Sequence, residues 1–294
     1  MDIWPSFDSF LRALISGLMM GCIFAIIAIG FQLVFGVVKI PQFAHGAFVL
    51  WGMYITWVLG EKLGVDPYLC LFITLPLFFF LGYVLQKYVI VHIMDLEESY
   101  QMIFMLGVLF ATMYAAESIF TVNPRFLGRI TYLRNPIYVG PFSFHRGLCI
   151  SVAISLGFLL ATNLFLTRSY LGKAIRAVAD NQFGSRIVGL RVGFLYLMAV
   201  AIASLLAGAA GTLLVTFSVI TPLRAFDLTV FSFLIIALGG LGSYLGAFIG
   251  GLIFGTVFAL AQGSIISTYA EAFVYGLMLV VIFIKPTGLF GKAV

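Results

Sequence analysis

Few side chains in this sequence can bind or move anything, so each can be weighed on its own. Gln42 and His45, in Pro41-Gln42-Phe43-Ala44-His45-Gly46, bring an amide and an imidazole to the start of a short apolar run. A proline ahead of that run and Gly46 just inside it predict a broken or re-entrant helix whose N-terminus points into the protein. Unpaired N–H groups and the helix dipole at such an end favour a carboxylate. The same two side chains can instead cap the helix and bond to neighbouring backbone, and the spacing leaves both uses open. Glu117 stands near the far end of another apolar run, within reach of interfacial water. Glu271 begins the last run. Arg224 lies in the break before a short run, and Asp227 is placed to N-cap that run.

Phosphate chemistry has no cradle of its own here. The pattern G-x-x-x-x-G-K-[ST] is missing: Gly291-Lys292 is followed by Ala293, and Pro286 stands where the first glycine belongs. His45, His92 and His145 are scattered, without H-E-x-x-H or a carboxylate at ligand spacing. Cys22, Cys70 and Cys149 lie in or beside apolar runs with no Cys-x-x-Cys, and read as small packing residues. These residues predict no enzyme, and no metal or cofactor held by this chain.

The longest polar interruption in the second half is Arg168–Val192. It sets Arg168, Lys173, Arg176, Arg186 and Arg191 against one acid, Asp180. Ile175, Val178, Ala179, Phe183, Ile187 and Val188 recur at helical spacings. Gly184-Ser185 interrupts the pattern, and Gly189 sits where a C′ glycine ends a second short helix. The expectation is two amphipathic helices on a membrane surface, joined by a bend at Gly184-Ser185. Such a loop is either a solvated basic segment or a docking element for a soluble partner.

The elements around these residues are set by composition. The 294 residues are 63% hydrophobic and 9% charged, with mean hydropathy +1.16. A soluble domain carries about 25% charged residues. So much apolar surface cannot be buried against itself, and its solvent must be lipid. Long unbroken runs, without the alternation of a β-barrel, predict an all-α polytopic membrane bundle in one domain. The formal charge of +5 is no nucleic-acid signal, because the basic residues sit between apolar spans. The N-terminus lacks a basic region and a cleavage site, so the first run is expected to be a retained helix.

Apolar runs are expected at 10–36, 43–59, 68–91 with Pro76 as a kink, 101–122, 147–167, 194–220, 228–241, 244–261 and 269–284. That makes eight segments if one short run is re-entrant and nine if all cross. A long polar loop, Asn123–Arg146, carries Pro124, Pro136 and Pro141. Gly242, Gly246 and Gly250 repeat at four, as do Gly251–Gly255 and Gly17–Gly21, which lets helix backbones touch. Gly239–Gly255 is therefore expected to be the tightest-packed part. Alternation puts nine lysines and arginines on the side of the Arg168–Val192 loop and seven on the other, too even a split to fix orientation.

Three stretches resemble one family, the integral-membrane permease subunits of branched-chain amino acid ABC importers of the LivH type. They are Gly36–Gly46 (GVVKIPQFAHG, with Gln42 where the family has Asn), Gly172–Val192 (GKAIRAVADNQFGSRIVGLRV), and Ala237–Gly255 (ALGGLGSYLGAFIGGLIFG) with Pro286–Gly291 (PTGLFG). The resemblance spans nearly the whole chain. It implies that Arg168–Val192 is a cytoplasmic coupling helix seated in a groove of an ATPase, with Gly172, Lys173, Arg176, Ala177, Asp180 and Gly189 shaping or contacting that interface. It also implies two ABC ATPase subunits that hold ATP and magnesium, a homologous second permease subunit, and a periplasmic solute-binding protein. The chain would then be a multi-pass protein of a bacterial inner (plasma) membrane.

Departures bear on the substrate. The connector from His92 to Glu98 is acidic where the family is usually basic, and Arg224 is unusual in its break. Gln42, Phe43, Ala44, His45, Glu117 and Arg224 are the expected pathway residues. The cargo is expected to be a branched-chain amino acid or a related small amino or organic acid. A stand-alone secondary transporter or channel is the rival reading, but it calls for paired ionisable residues mid-membrane.

Overall fold

The computed structural model of the chain describes residues 7–139, 142–264, 269–285 and 287–291. Pro141, Pro286 and Lys292, named above, lie outside the described residues. The chain is built on α1 (Phe7–Val38), which is apolar on every side and buried continuously from Gly21 to Val34. A helix without a polar face belongs at the centre of a bundle.

α2 (His45–Leu63) runs back towards the start of α1 and ends on Gly64 in the left-handed conformation. α3 (Leu71–Leu85) contains Pro76, passes into a π-helical turn at Gln86–Ile90 and closes with α4 (Val91–Ile93). α5 (Glu98–Phe120) follows. The Asn123–Arg146 segment contains a short antiparallel hairpin, β1 (Pro136–Val139) with β2 (Phe142–His145). α6 (Arg146–Arg168) leads to the amphipathic pair α7 (Tyr170–Asp180) and α8 (Gln182–Ile187). α9 (Val192–Leu214), α10 (Arg224–Gly239), α11 (Tyr244–Gly263) and α12 (Ala270–Ile284) complete the bundle.

Among the described residues, six helical segments, α1, α3–α4, α5, α6, α9 and α11, are long and apolar enough to cross a membrane. α2, α10 and α12 are shorter or less apolar. The hairpin end gathers Arg12, which bonds to Ser143, and Glu61, which accepts N–H bonds from Gly128 and Arg129. The opposite end carries Lys39, α7, α8 and the α10–α11 turn.

Helix contact follows the small residues. α11 lies antiparallel against α1, and a Cβ on Gly255 would stand 2.4 Å from Gly21 Cα. On the other face of α11, a Cβ on Gly246 would meet the Gly239 carbonyl oxygen at 2.2 Å. Both distances are below what two side chains allow, so the close packing expected of Gly239–Gly255 is present.

Two local expectations are corrected. Asp227 does not cap its helix: α10 begins at Arg224 with Leu223 as N-cap, because the Thr221-Pro222-Leu223 turn already directs the chain into it. Asp227 lies within the first turn, where its charge still complements the helix dipole. The run expected at 194–220 leaves the helix at Leu214, and Ile220 then bridges to Arg125 in the hairpin-end loop.

Candidate functional site

α7 starts where the Ser169 Oγ accepts the Gly172 N–H at 2.9 Å, an N-cap in extended backbone. Gly172 is inside the first turn and is needed for contact, since a Cβ there would lie 2.1 Å from the Phe165 carbonyl oxygen of α6. α7 is thereby fixed against the end of α6. Its apolar face, Ala174, Ile175 and Val178, is buried with Val34 and Val37 of α1 and Leu195 and Ala199 of α9.

The bend between the two helices is at Asn181, not at Gly184-Ser185. Asn181 ends α7 in extended backbone, and its Oδ1 accepts the Gly184 N–H at 2.8 Å. A short acceptor side chain outcompetes a glycine as the breaking signal here, because it supplies a cap as well as a kink. α8 ends as expected at Gly189, with φ 85°. Leu190 N–H bonds to Ser185 O and Gly189 N–H to Arg186 O, the paired bonds of a Schellman motif.

The two amphipathic helices expected over 168–192 are present on either side of this bend. Ile175 and Val178 enter the bundle, whereas Phe183, Ile187 and Val188 are 75%, 71% and 82% exposed. Periodicity could find both faces but not that they point to different neighbours. Lys173 and Ala177 are exposed on α7.

Arg176 and Asp180 are exposed on this same outward side of α7, towards its edge. They line a cavity of about 870 Å³ whose walls include Gly36 and Lys39 of the α1 end, Glu98, Leu166 of α6, and the 241–245 turn. A narrower lobe of about 150 Å³ continues from it between α1, α6, α7 and Tyr244. Gln32 lines this lobe; it is 6% exposed and its Oε1 has no partner among the described residues. Gln32 carried no motif, and only its position in an otherwise apolar run could have marked it.

Of the expected pathway residues, four come together and two do not. Gln42, Ala44 and His45 are buried at the start of α2, and the Phe43 ring stacks on Phe233 of α10. The His45 Nε2 lies 3.0 Å from the Ile27 carbonyl oxygen, and its ring meets Phe31 edge-on. Ile27 stands roughly 16 Å along α1 from its last residue, so α2 starts well inside the bundle. Its first N–H groups are used internally: His45 bonds to Gln42 O, Gly46 to Thr229 Oγ1, and Ala47 and Phe48 to Ala44 O. The Gln42 amide has no partner on either atom among the described residues.

Arg224 lies at the start of α10 and donates to Val219 O at 3.1 Å. Its charge is within electrostatic reach of Asp227 and Glu271. Glu117 is half-buried in the last turn of α5.

Comparison with known proteins matches this architecture to one group. The family model described as branched-chain amino acid transport system / permease component covers residues 13–283. The chain is 26% identical over 306 residues to the high-affinity branched-chain amino acid transport system permease protein BraD of Pseudomonas aeruginosa, covering 98% of each. It is 27% identical over 298 residues to LivH of Salmonella typhimurium, covering 96% of each. A probable LivH of Methanocaldococcus jannaschii is 25% identical over 282 residues, covering 90% of this chain and 88% of the relative. No solved structure matches at a significant level.

Proposed function

Because the chain belongs to the permease-component family of branched-chain amino acid transport systems, we propose that it is one membrane subunit of an ABC importer for hydrophobic branched amino acids. The observation that carries this reading is the α7–α8 unit. One of its faces is built into the bundle, and the other offers Phe183, Ile187 and Val188 with nothing covering them. Apolar anchors rimmed by Lys173, Arg186 and Arg191 have the anatomy of a protein interface, with an apolar centre and a polar rim.

The partner that fits is an ABC ATPase, which supplies the nucleotide site that this sequence does not encode. In the full assembly we place two ATPases, a second permease subunit, and a solute-binding protein at the hairpin end. The α7–α8 end then faces the cytoplasm and the hairpin the periplasm. α2, α10 and α12 join the six long segments as shorter membrane segments, giving nine in a bacterial inner membrane.

Mechanically, Gly172 holds α7 on α6, while Ile175 and Val178 hold it on α1 and α9. A push on α8 is passed to these helices as a rigid displacement, because packed interfaces switch between discrete arrangements. ATP binding and hydrolysis on the partners shift the population between two such packings. Gly189 keeps α8 at its angle. The Phe43–His45 turn ties α2 to α1 and α10 beside the solute path.

The test is reconstitution of the complete transporter in liposomes, followed by uptake of labelled L-leucine with ATP inside and the solute-binding protein outside. Uptake that needs both supports the reading. Uptake by this chain alone, driven by a proton or sodium gradient, removes it.

A further inference from the structure

The narrow lobe behind α7 has three features of a small-molecule site. Arg176 and Asp180 stand four residues apart on one face of α7, at its mouth. Side chains at that spacing are neighbours, about 5–6 Å apart at Cβ. Neither side chain makes a hydrogen bond or ion pair with another described residue. Ile29, Leu33, Leu166 and Ile175 supply the apolar wall, and the buried Gln32 presents an amide whose Oε1 is unpartnered. A buried acceptor left without a partner is costly unless something fills that role. The wider mouth repeats the charge pattern with Lys39 and Glu98.

One base and one acid on adjacent positions, backed by an aliphatic cleft, match an α-amino acid. Its ammonium and carboxylate leave the same carbon as an apolar side chain. We propose that this lobe is a release-side binding site for a hydrophobic α-amino acid, with Arg176 on the carboxylate, Asp180 on the ammonium, Gln32 as a further polar partner, and the aliphatic chain between α1 and α6. The choice of ligand rests on the proposed transport function. The site reassigns Arg176 and Asp180, placed by the sequence at the ATPase contact, to solute contact on the same helix.

The experiment is equilibrium binding of radiolabelled L-leucine to the intact transporter in nanodiscs, without its solute-binding protein. Saturable binding is expected. L-leucinamide, which lacks the carboxylate, and 4-methylpentanoate, which lacks the ammonium, should fail to compete. Arg176→Ala and Asp180→Ala should each weaken binding on the order of tenfold, the effect of one lost charge-assisted bond. Ala179→Leu, which crowds the lobe without removing a charge, should do the same. Tyr170→Ala, exposed at the start of the same helix, should not.

A purely ATPase-contacting role for Arg176 and Asp180 would change ATP-driven uptake while leaving this affinity untouched. Absence of saturable binding, or equal affinity in all variants, overturns the site. Uptake of L-leucine by the same reconstituted transporter is read separately. Uptake without release-side binding removes this inference alone, and loss of all amino-acid uptake in the unmodified transporter removes the transport reading.

Discussion

The imidazole Nε2 of His45 lies 3.0 Å from the main-chain carbonyl oxygen of Ile27. A carbonyl can only accept, so the Nε2–H tautomer donates. This contact fixes the start of α2 against the middle of α1, where His45 is fully buried. His45→Ala should lower stability by about 2–4 kcal/mol, from the lost buried volume and the lost hydrogen bond. The thermal midpoint in detergent checks it. An unchanged midpoint with lost uptake would move His45 from the framework to the solute path.

Gly255 and Gly21 touch through their backbones, at a separation that leaves no room for a methyl group. Gly255→Leu should therefore separate α11 from α1 and abolish folded protein, since overpacking by even a few methylenes costs about 1–3 kcal/mol. Gly246→Leu should act similarly against α10. Gly107 and Gly276 have nothing within 4 Å of their added Cβ. Alanine there should be neutral or stabilising by up to about 1 kcal/mol through helix propensity. Size-exclusion profiles and melting curves of the four variants separate the two classes.

Phe183 and Ile187 face outward on α8, where no described residue covers them. Ile187→Glu, or Phe183→Ala with Ile187→Ala, should leave the melting point of the isolated subunit unchanged within about 0.5 kcal/mol. Uptake by the assembled transporter should fall at least about tenfold, the result of losing roughly 1.4 kcal/mol of interface energy. Co-purification of the ATPases with each variant is the direct measurement. Full recovery of ATPase would place the interface elsewhere.

At the hairpin end, the Tyr132 hydroxyl donates to the Asp66 carboxylate. Burial, and then this carboxylate, raise the Tyr132 phenol above its ordinary value. A raised value in the folded state means that the stabilisation is complete below the unfolded value, near pH 10, and is lost as pH rises through the folded one. The wild-type melting point should thus fall more steeply above about pH 10 than that of Tyr132→Phe. Parallel curves would remove the linkage.

The sequence by itself determined the membrane bundle, because 63% hydrophobic residues leave no other solvent for the chain. It determined most of the helices to within a few residues, the amphipathic α7–α8 unit and the Gly189 stop, since each depends on local spacing and local backbone preference. Only the tertiary structure decided where those faces point. The apolar residues of the two helices, Ile175 and Val178 on one and Phe183 and Ile187 on the other, meet different surroundings because Asn181 captured the Gly184 N–H and turned the chain between them. Gln32, anonymous in its run, became a cavity residue because α6, α7 and Tyr244 close around that part of α1. Arg176 and Asp180 face a cleft for the same reason. A spacing of four fixes which residues share a helix face, but the neighbours across from that face come from α1, α6 and the 241–245 turn, distant in sequence or brought round by the fold, and no local pattern encodes them.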